Sequence, residues 1–191
     1  MLRRLVPALL GALLLTACSG TDAVDVDRAE SPKLKVLNPG PQGVFRAQDR
    51  APTPPIKGTT LDGQPLDVAD MRGKVVVVNF WASWCAPCRA ESLALNRVHE
   101  RRSPEGVQFV GVNIKDDRTA ARAFERRQLT EYPSLYDQAG IVLTRFARLA
   151  PQTPPTTLLI DRQGRVAGRF IGQVTDNQLD GPLQVLLKEP A

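Results

Sequence analysis

An apolar run that leads directly into a Cys-x-x-Cys pair is the feature that most constrains the fold of this chain. Val75 to Ala82 is rich in β-branched and aromatic residues and is too short to span a bilayer, so it predicts a strand buried on both faces. Pro87 suits the first turn of a helix, because its missing N–H would have no partner there. The pattern therefore places Cys85 and Cys88 where a central strand passes into a helix N-terminus.

This position has chemical consequences for the two thiols. Unpaired N–H groups and the positive end of the helix dipole stabilise a thiolate, so the pKa of Cys85 is expected below the free value of about 8.5. Cys85 is predicted to be the exposed nucleophile, and Cys88, one turn further on, to point inward. Cys85 can attack a substrate disulfide, and Cys88 can then resolve the mixed disulfide.

Two other interpretations of the pair are a zinc site and an inert structural disulfide. A zinc site needs two more ligands, and the chain contains only one other cysteine, Cys18, and one histidine, His99. We therefore expect no metal and no cofactor. An inert disulfide would not explain why the pair lies at a strand-to-helix junction.

The segment Phe80–Glu91, with Trp84-Cys85-Ala86-Pro87-Cys88 at its centre, resembles the active site of the TlpA/ResA-like thioredoxins, which are membrane-tethered thiol–disulfide oxidoreductases. A second motif, Pro155–Gly164, is similar to the Pro-Thr-Thr segment of that family. The resemblance extends from about Ala51 to the C-terminus. It implies an α/β thioredoxin fold: a central mixed sheet with helices on both faces, an N-terminal β-hairpin and a central insertion.

The resemblance also implies roles for several side chains. Pro155 corresponds to a cis-proline beside the cysteines, and Trp84, Pro154 and Pro155 to substrate contacts. Pro154 departs from the usual pattern, because it has no N–H to donate to a substrate backbone. Glu91 is expected to exchange protons with Cys88, since Asn79 stands where ordinary thioredoxins have a buried acid and cannot titrate. The alternative for Glu91 is a solvated acid that favours the helix dipole.

Residues 1–17 have the features of a lipoprotein signal peptide. A basic start precedes an apolar segment that is too short to span a bilayer, and Leu15-Thr16-Ala17-Cys18 is similar to a lipobox. We expect Cys18 to be lipidated, residues 18–50 to form a flexible tether and residues 51–191 to form the thioredoxin domain. This predicts an extracytoplasmic protein, anchored to the cell membrane by lipid. An ordinary cleaved signal with an incidental cysteine is the alternative.

The remaining elements follow from periodicity and turn signals. The predicted hairpin lies in 56–66 around Asp62-Gly63, and one helical turn follows it. Further along, the sequence predicts a strand (107–114), a helix (119–128), a connecting segment (132–136), a helix (141–149), an antiparallel strand pair (156–161 and 165–171) and a helix within 175–188 that Gly181-Pro182 interrupts or shortens.

Composition narrows the function classes. The net charge is +5, but the basic residues are scattered and no aromatic-plus-basic motif accompanies them, so nucleic-acid binding is not predicted. The activity that the family resemblance implies is reduction of disulfides in exported proteins, such as apocytochrome c before haem attachment, by a monomer that receives electrons from a membrane thiol reductase of the CcdA/DsbD type. A disulfide-forming oxidase and a non-catalytic binding lipoprotein are the alternatives. A peroxidase would need a Pro-x-x-x-Thr-x-x-Cys segment, which the sequence lacks.

Overall fold

The computed structural model describes residues 43–147, 149 and 152–190. The predicted signal peptide, Cys18 and most of the predicted tether lie outside the described residues. The strands are β1 (Lys57–Thr59), β2 (Pro65–Asp67), β3 (Val75–Trp81), β4 (Val107–Ile114), β5 (Ser134–Asp137), β6 (Thr156–Ile160) and β7 (Val166–Ile171). The α-helices are α1 (Ala86–Arg102), α2 (Arg118–Gln128), α3 (Ile141–Thr144) and α4 (Asp176–Lys188), and short 3-10 helices cover Ala47–Asp49, Val68–Met71 and Ser103–Glu105.

Strand β3 is the centre of a five-stranded mixed sheet with the order β5-β4-β3-β6-β7. It pairs with β4 in parallel and with β6 antiparallel, and all its residues are buried, as the apolar run predicts. The β6–β7 pair is antiparallel, whereas β4 and β5 are parallel. Strands β1 and β2 form the predicted hairpin as a separate two-stranded sheet.

The two faces of β3 bury different sets of side chains, as an alternating strand between two layers requires. Val75 and Val77 pack with residues of α1 and α4 on one face. Val76, Val78 and Phe80 pack on the other face with residues of α3 and of the segment that leads into the hairpin. Helices therefore cover both faces of the sheet, and the thioredoxin fold predicted from the sequence is confirmed.

Two predicted elements differ in the segment before β6. An edge strand, β5, overlaps the predicted connecting segment 132–136, because Ser134–Asp137 pair with Gly111–Ile114. The strand is only four residues long and follows Pro133, so the sequence carries little strand signal. Helix α3 ends at Thr144 instead of continuing to Leu149, and turns follow it up to Ala147.

Helix α4 runs through Pro182, so the predicted interruption is wrong. The proline removes one helical hydrogen bond, a loss of about 3 kcal/mol in a helix interior. Leu179, Leu183 and Leu186 flank it and are at most 1% exposed. Burying each contributes roughly 1.5–3 kcal/mol, so packing outweighs the proline. Gly181 presents no Cβ to the proline ring, which relieves the usual clash with the preceding residue.

The packed part of the chain begins before the predicted boundary at residue 51. Phe45 is 2% exposed, and its N–H donates to the carbonyl oxygen of Ala167 at 2.7 Å. Arg50 is buried and forms ion pairs with Asp161 at 3.2 Å and Glu189 at 2.6 Å. The end of the predicted tether, residues 43–50, is therefore part of the folded body. Within the described part of the chain, no helix has both the length and the apolar character needed to cross a membrane.

Candidate active site

Cys85 and Cys88 form a disulfide at the N-terminus of α1, immediately after the loop that follows β3. The S–S distance is 2.02 Å and the Cα–Cα distance is 5.3 Å. Cys85 is the N-cap residue, and its Sγ accepts a hydrogen bond from the N–H of Cys88 at 3.2 Å. The same N–H is positioned to stabilise a Cys85 thiolate, as the sequence predicts.

The sequence predicts an exposed Cys85, and this prediction is wrong for the disulfide form. Cys85 is 4% exposed and Cys88 is 2% exposed, and both belong to a cluster with Trp81, Ala82 and Phe124. The disulfide explains the difference, because closing it within one helical turn directs the Cys85 sulfur toward Cys88 rather than toward solvent.

The loop between β3 and α1 is tied to the end of β4. Asp116 accepts hydrogen bonds from the Ser83 N–H at 2.6 Å and the Ser83 hydroxyl at 2.8 Å. It also accepts one from the Asn113 side chain at 2.8 Å. Trp84 is 59% exposed, and its indole N–H donates to the carbonyl oxygen of Lys115 at 3.0 Å. This anchoring holds Trp84 at the surface beside the disulfide.

Sequence reasoning missed Asp116, although a signal for it existed. β3 and β4 are parallel neighbours, so residues that follow their carboxyl ends meet at one edge of the sheet. Asp116 is the second residue after the end of β4, as Ser83 is the second residue after the end of β3. A buried acid there could have been predicted to support the active-site loop.

Glu91 lies one turn beyond Cys88 and is fully buried, which excludes the solvated alternative. Its carboxylate accepts hydrogen bonds from the Asn79 side chain at 2.8 Å and from the Val174 N–H at 3.0 Å. Burial raises the pKa of Glu91 from 4.5 to about 7, and the two hydrogen bonds oppose that rise. Thr157 accepts a second hydrogen bond from Asn79 at 3.1 Å, which fixes the amide beneath the site.

Pro155 follows a cis peptide bond in the structure, as the resemblance implies. β6 begins at the next residue, Thr156, which pairs with Phe80 of β3. This register places Pro155 at the same edge of the sheet as the loop that carries Cys85. The Pro155 carbonyl oxygen accepts a hydrogen bond from the Gly172 N–H at 3.0 Å, which fixes the segment against the end of β7.

Trp81 forms the wall behind the disulfide. Its ring stacks on Phe124 at a centroid distance of 4.7 Å, and its N–H donates to the Ser134 hydroxyl at 3.2 Å. Gly111 permits this contact, because a Cβ there would lie 2.1 Å from the Ser134 oxygen. The predicted buried strand 75–82 includes Trp81 but gave no sign of the polar contact, because Ser134 lies on the missed strand β5.

Comparisons with known proteins agree with this geometry. The family model described as Redoxin matches residues 46–183. The thiol-disulfide oxidoreductase ResA of a Bacillus cereus strain is 30% identical over 126 residues, which are 66% of this chain and 71% of that protein. A DsbF homologue from Corynebacterium diphtheriae has a TM-score of 0.70 and 33% identity, covering 78% of this chain and 96% of that one. A secreted thiol-disulfide isomerase from Corynebacterium glutamicum has a TM-score of 0.72 and 31% identity, covering 76% and 91%.

Proposed function

This chain belongs to the redoxin family as a thiol–disulfide oxidoreductase of the ResA type, and we propose that it reduces disulfides in exported proteins outside the cytoplasm. Apocytochrome c before haem attachment is the substrate that the family resemblance suggests. The observation that carries the exchange chemistry is Glu91, a buried carboxyl one turn beyond Cys88 whose pKa burial raises to about 7, and the reducing direction rests on the family resemblance.

The reaction begins with the reduced protein. The Cys85 thiolate attacks one sulfur of the substrate disulfide, and the other substrate sulfur leaves as a thiolate. Cys88 then loses its proton and attacks the Cys85 sulfur, which releases the second substrate thiolate and closes the Cys85–Cys88 disulfide. Two electrons pass from the protein to the substrate, whose two thiolates take up protons.

Glu91 supports this exchange because the second step needs a base for the Cys88 thiol. A carboxyl with a pKa near 7 is partly ionised at neutral pH, so it can accept the proton and later return it. The hydrogen bond from Asn79 at 2.8 Å holds the carboxylate in one orientation. A carboxyl with an ordinary pKa would be a weaker acceptor, since efficient proton exchange requires a pKa near the working pH.

The substrate contacts surround the edge of the sheet at which the disulfide lies. Trp84 offers an exposed apolar surface beside Cys85. Pro155 provides a second surface, and Pro154 before it contributes a carbonyl oxygen but no N–H. We infer that a substrate peptide forms one backbone hydrogen bond fewer here than on a chain with an ordinary residue at position 154.

Location and electron supply are part of the same proposal. The lipobox predicts a lipid anchor on Cys18, and the residues after it would keep the domain near the membrane surface. Reduction of exported substrates there requires a donor that carries electrons across the membrane. A membrane thiol reductase of the CcdA/DsbD type is the donor that the family resemblance suggests, and it would return the Cys85–Cys88 disulfide to the dithiol.

A disulfide-forming oxidase is the second candidate, and the N-cap position of Cys85 favours it. The N–H of Cys88 that contacts the Cys85 sulfur at 3.2 Å stabilises a thiolate. A stabilised thiolate makes the reduced form more stable and the disulfide more oxidising. The two candidates therefore differ in the direction in which electrons flow between this pair and a substrate.

A trapping experiment tests the reducing direction. The fully reduced protein is mixed with an oxidised Cys-x-x-Cys-His peptide, and the products are measured by mass spectrometry after acid quenching. We expect one peptide reduced per protein. We also expect a persistent mixed disulfide with Cys88→Ser and none with Cys85→Ser. If reduced protein leaves the peptide oxidised while oxidised protein converts the reduced peptide to its disulfide, the oxidase is the correct assignment.

A further inference from the structure

A cavity of about 320 Å³ lies at the opposite end of β3 from the disulfide. Its walls are the segment 53–57 before and within β1, the 3-10 helix Val68–Met71, and the first residues of β3. Val76 lines the cavity and lies five residues before the last residue of β3. A strand rises about 3.3 Å per residue, so roughly 16 Å separate Val76 from the active-site end of β3. No residue assigned to the thiol chemistry lines this cavity.

The floor of the cavity is apolar. Ile56, Val76 and Ile160 line it, and each is at most 2% exposed because it belongs to the core on that face of the sheet. The cavity size falls within the range of about 300–1,000 Å³ that small-molecule sites occupy. The floor can therefore accept the apolar body of a small organic molecule.

The lip of the cavity carries three exposed cations, Lys57, Arg72 and Lys74. Within the part of the chain that the structure describes, none of the three forms an ion pair. Two carboxylates also line the cavity. Asp161 is already compensated by Arg50 at 3.2 Å and Arg165 at 2.8 Å, and Asp67 caps the 3-10 helix through the Ala69 N–H at 2.9 Å.

The three cations outnumber Asp67, the lining carboxylate that no described cation pairs with, so the lip keeps an excess of positive charge that a single anion would relieve. The Thr53 side chain adds a polar group. Its hydroxyl oxygen is buried in the cavity wall and has no hydrogen-bond partner among the described residues.

We propose that this cavity binds a small organic anion whose apolar body lies on the floor formed by Ile56, Val76 and Ile160 and whose charged group lies between Lys57, Arg72 and Lys74. The site is separate from the disulfide and does not depend on the direction of electron flow.

A matched pair of fluorescent probes tests both parts of the proposal. 8-Anilino-1-naphthalenesulfonate carries the negative charge, and N-phenyl-1-naphthylamine has the same ring system without it. We expect the sulfonate to bind the folded, oxidised protein at one site per chain and at least tenfold more tightly than the neutral amine. Equal affinities, or several equivalent sites per chain, would overturn the charge-selective site.

Substitutions then locate the binding. Reversing both lip charges with Arg72→Glu and Lys74→Glu is expected to weaken sulfonate binding about tenfold, equivalent to about 1.4 kcal/mol. Binding of the neutral amine should change less than twofold. Arg126→Glu with Arg127→Glu, on the exposed face of α2, makes the same change in net charge and should leave both affinities unchanged.

Ala69→Trp tests the apolar part without changing charge, because Ala69 is exposed at the cavity lip. It should weaken both probes by partly filling the cavity. Equal effects of the lip and α2 charge reversals, or no effect of Ala69→Trp, would contradict the proposal. Unchanged near-ultraviolet circular dichroism of each variant confirms that the comparison is made on folded protein.

Discussion

Replacing Glu91 with glutamine tests the buried carboxyl most sharply. Glu91 is fully buried and accepts two hydrogen bonds, one from the Asn79 side chain and one from the Val174 N–H. A glutamine has nearly the same size but keeps only one oxygen, and its amide would face one of the two N–H donors. The substitution therefore removes the titration of this site together with about one hydrogen bond, worth roughly 1 kcal/mol.

The pH dependence follows from the raised pKa. Glu91 has a pKa of about 7 in the folded protein and 4.5 when it is exposed in the unfolded chain. Below pH 4.5 the carboxyl is protonated in both states and its titration contributes nothing. Between pH 4.5 and 7 the folded state holds a proton that the unfolded state has lost, so stability falls as pH rises. Each pKa unit corresponds to about 1.4 kcal/mol, so above pH 7 the loss reaches about 3 kcal/mol.

The glutamine variant lacks this loss, so its relative stability should reverse with pH. We expect it to be about 1 kcal/mol less stable than the wild type at pH 4 and about 2 kcal/mol more stable at pH 8. Urea unfolding of the oxidised proteins at several pH values measures the difference in the free energy of unfolding. The other titratable groups are the same in the wild type and the variant, so their contributions cancel in this difference. Glu100→Gln, an exposed site on the same helix, is the matched control. Parallel curves for wild type and Glu91→Gln would refute the reasoning.

Three further substitutions probe the support around the site. Gly111→Ala should break the contact between Trp81 and Ser134, destabilise the fold by about 1–3 kcal/mol and alter tryptophan fluorescence. Gly58→Ala is the control and should have none of these effects, because the nearest atom lies 3.8 Å from the added Cβ. Asp116→Asn replaces a carboxylate oxygen that accepts from the Ser83 N–H with an amide group that donates, so the active-site loop loses support and reduction of insulin should slow. Asp117→Asn is the control and should not slow the reaction, since asparagine caps helices as well as aspartate does. Arg50→Met leaves buried Asp161 without one partner, so urea unfolding should give a loss of about 3–5 kcal/mol, whereas Arg46→Met at the surface should change stability little.

The sequence predicts β3 and the start of α1 well because a strong hydrophobic pattern dominates there. An apolar run from Val75 can be buried only between two layers, and Pro87 marks the helix start that places the cysteines at a helix N-terminus. The cis peptide bond before Pro155 came from the resemblance alone, since X–Pro bonds are mostly trans.

The errors arise where tertiary contacts override local signals. β5 is defined by pairing with β4 rather than by its own residues. Helix α4 continues through Pro182 because the leucines on both sides of it are buried. The burial of Cys85 has a local cause instead, because its bond to Cys88, three residues away, turns the sulfur inward. The contact of Asp116 with Ser83 joins segments distant in sequence, so it follows from the parallel pairing of β3 and β4 rather than from a local pattern.

The reduction potential of the Cys85–Cys88 pair tests the central claim most directly. The protein is equilibrated with dithiothreitol or glutathione buffers at pH 7, and the fraction of dithiol is followed by tryptophan fluorescence and by thiol alkylation. A protein that reduces disulfides in exported substrates should have a potential near that of thioredoxin, about −270 mV, or lower. A potential near that of DsbA, about −120 mV, would contradict the reducing role and assign the protein to disulfide formation.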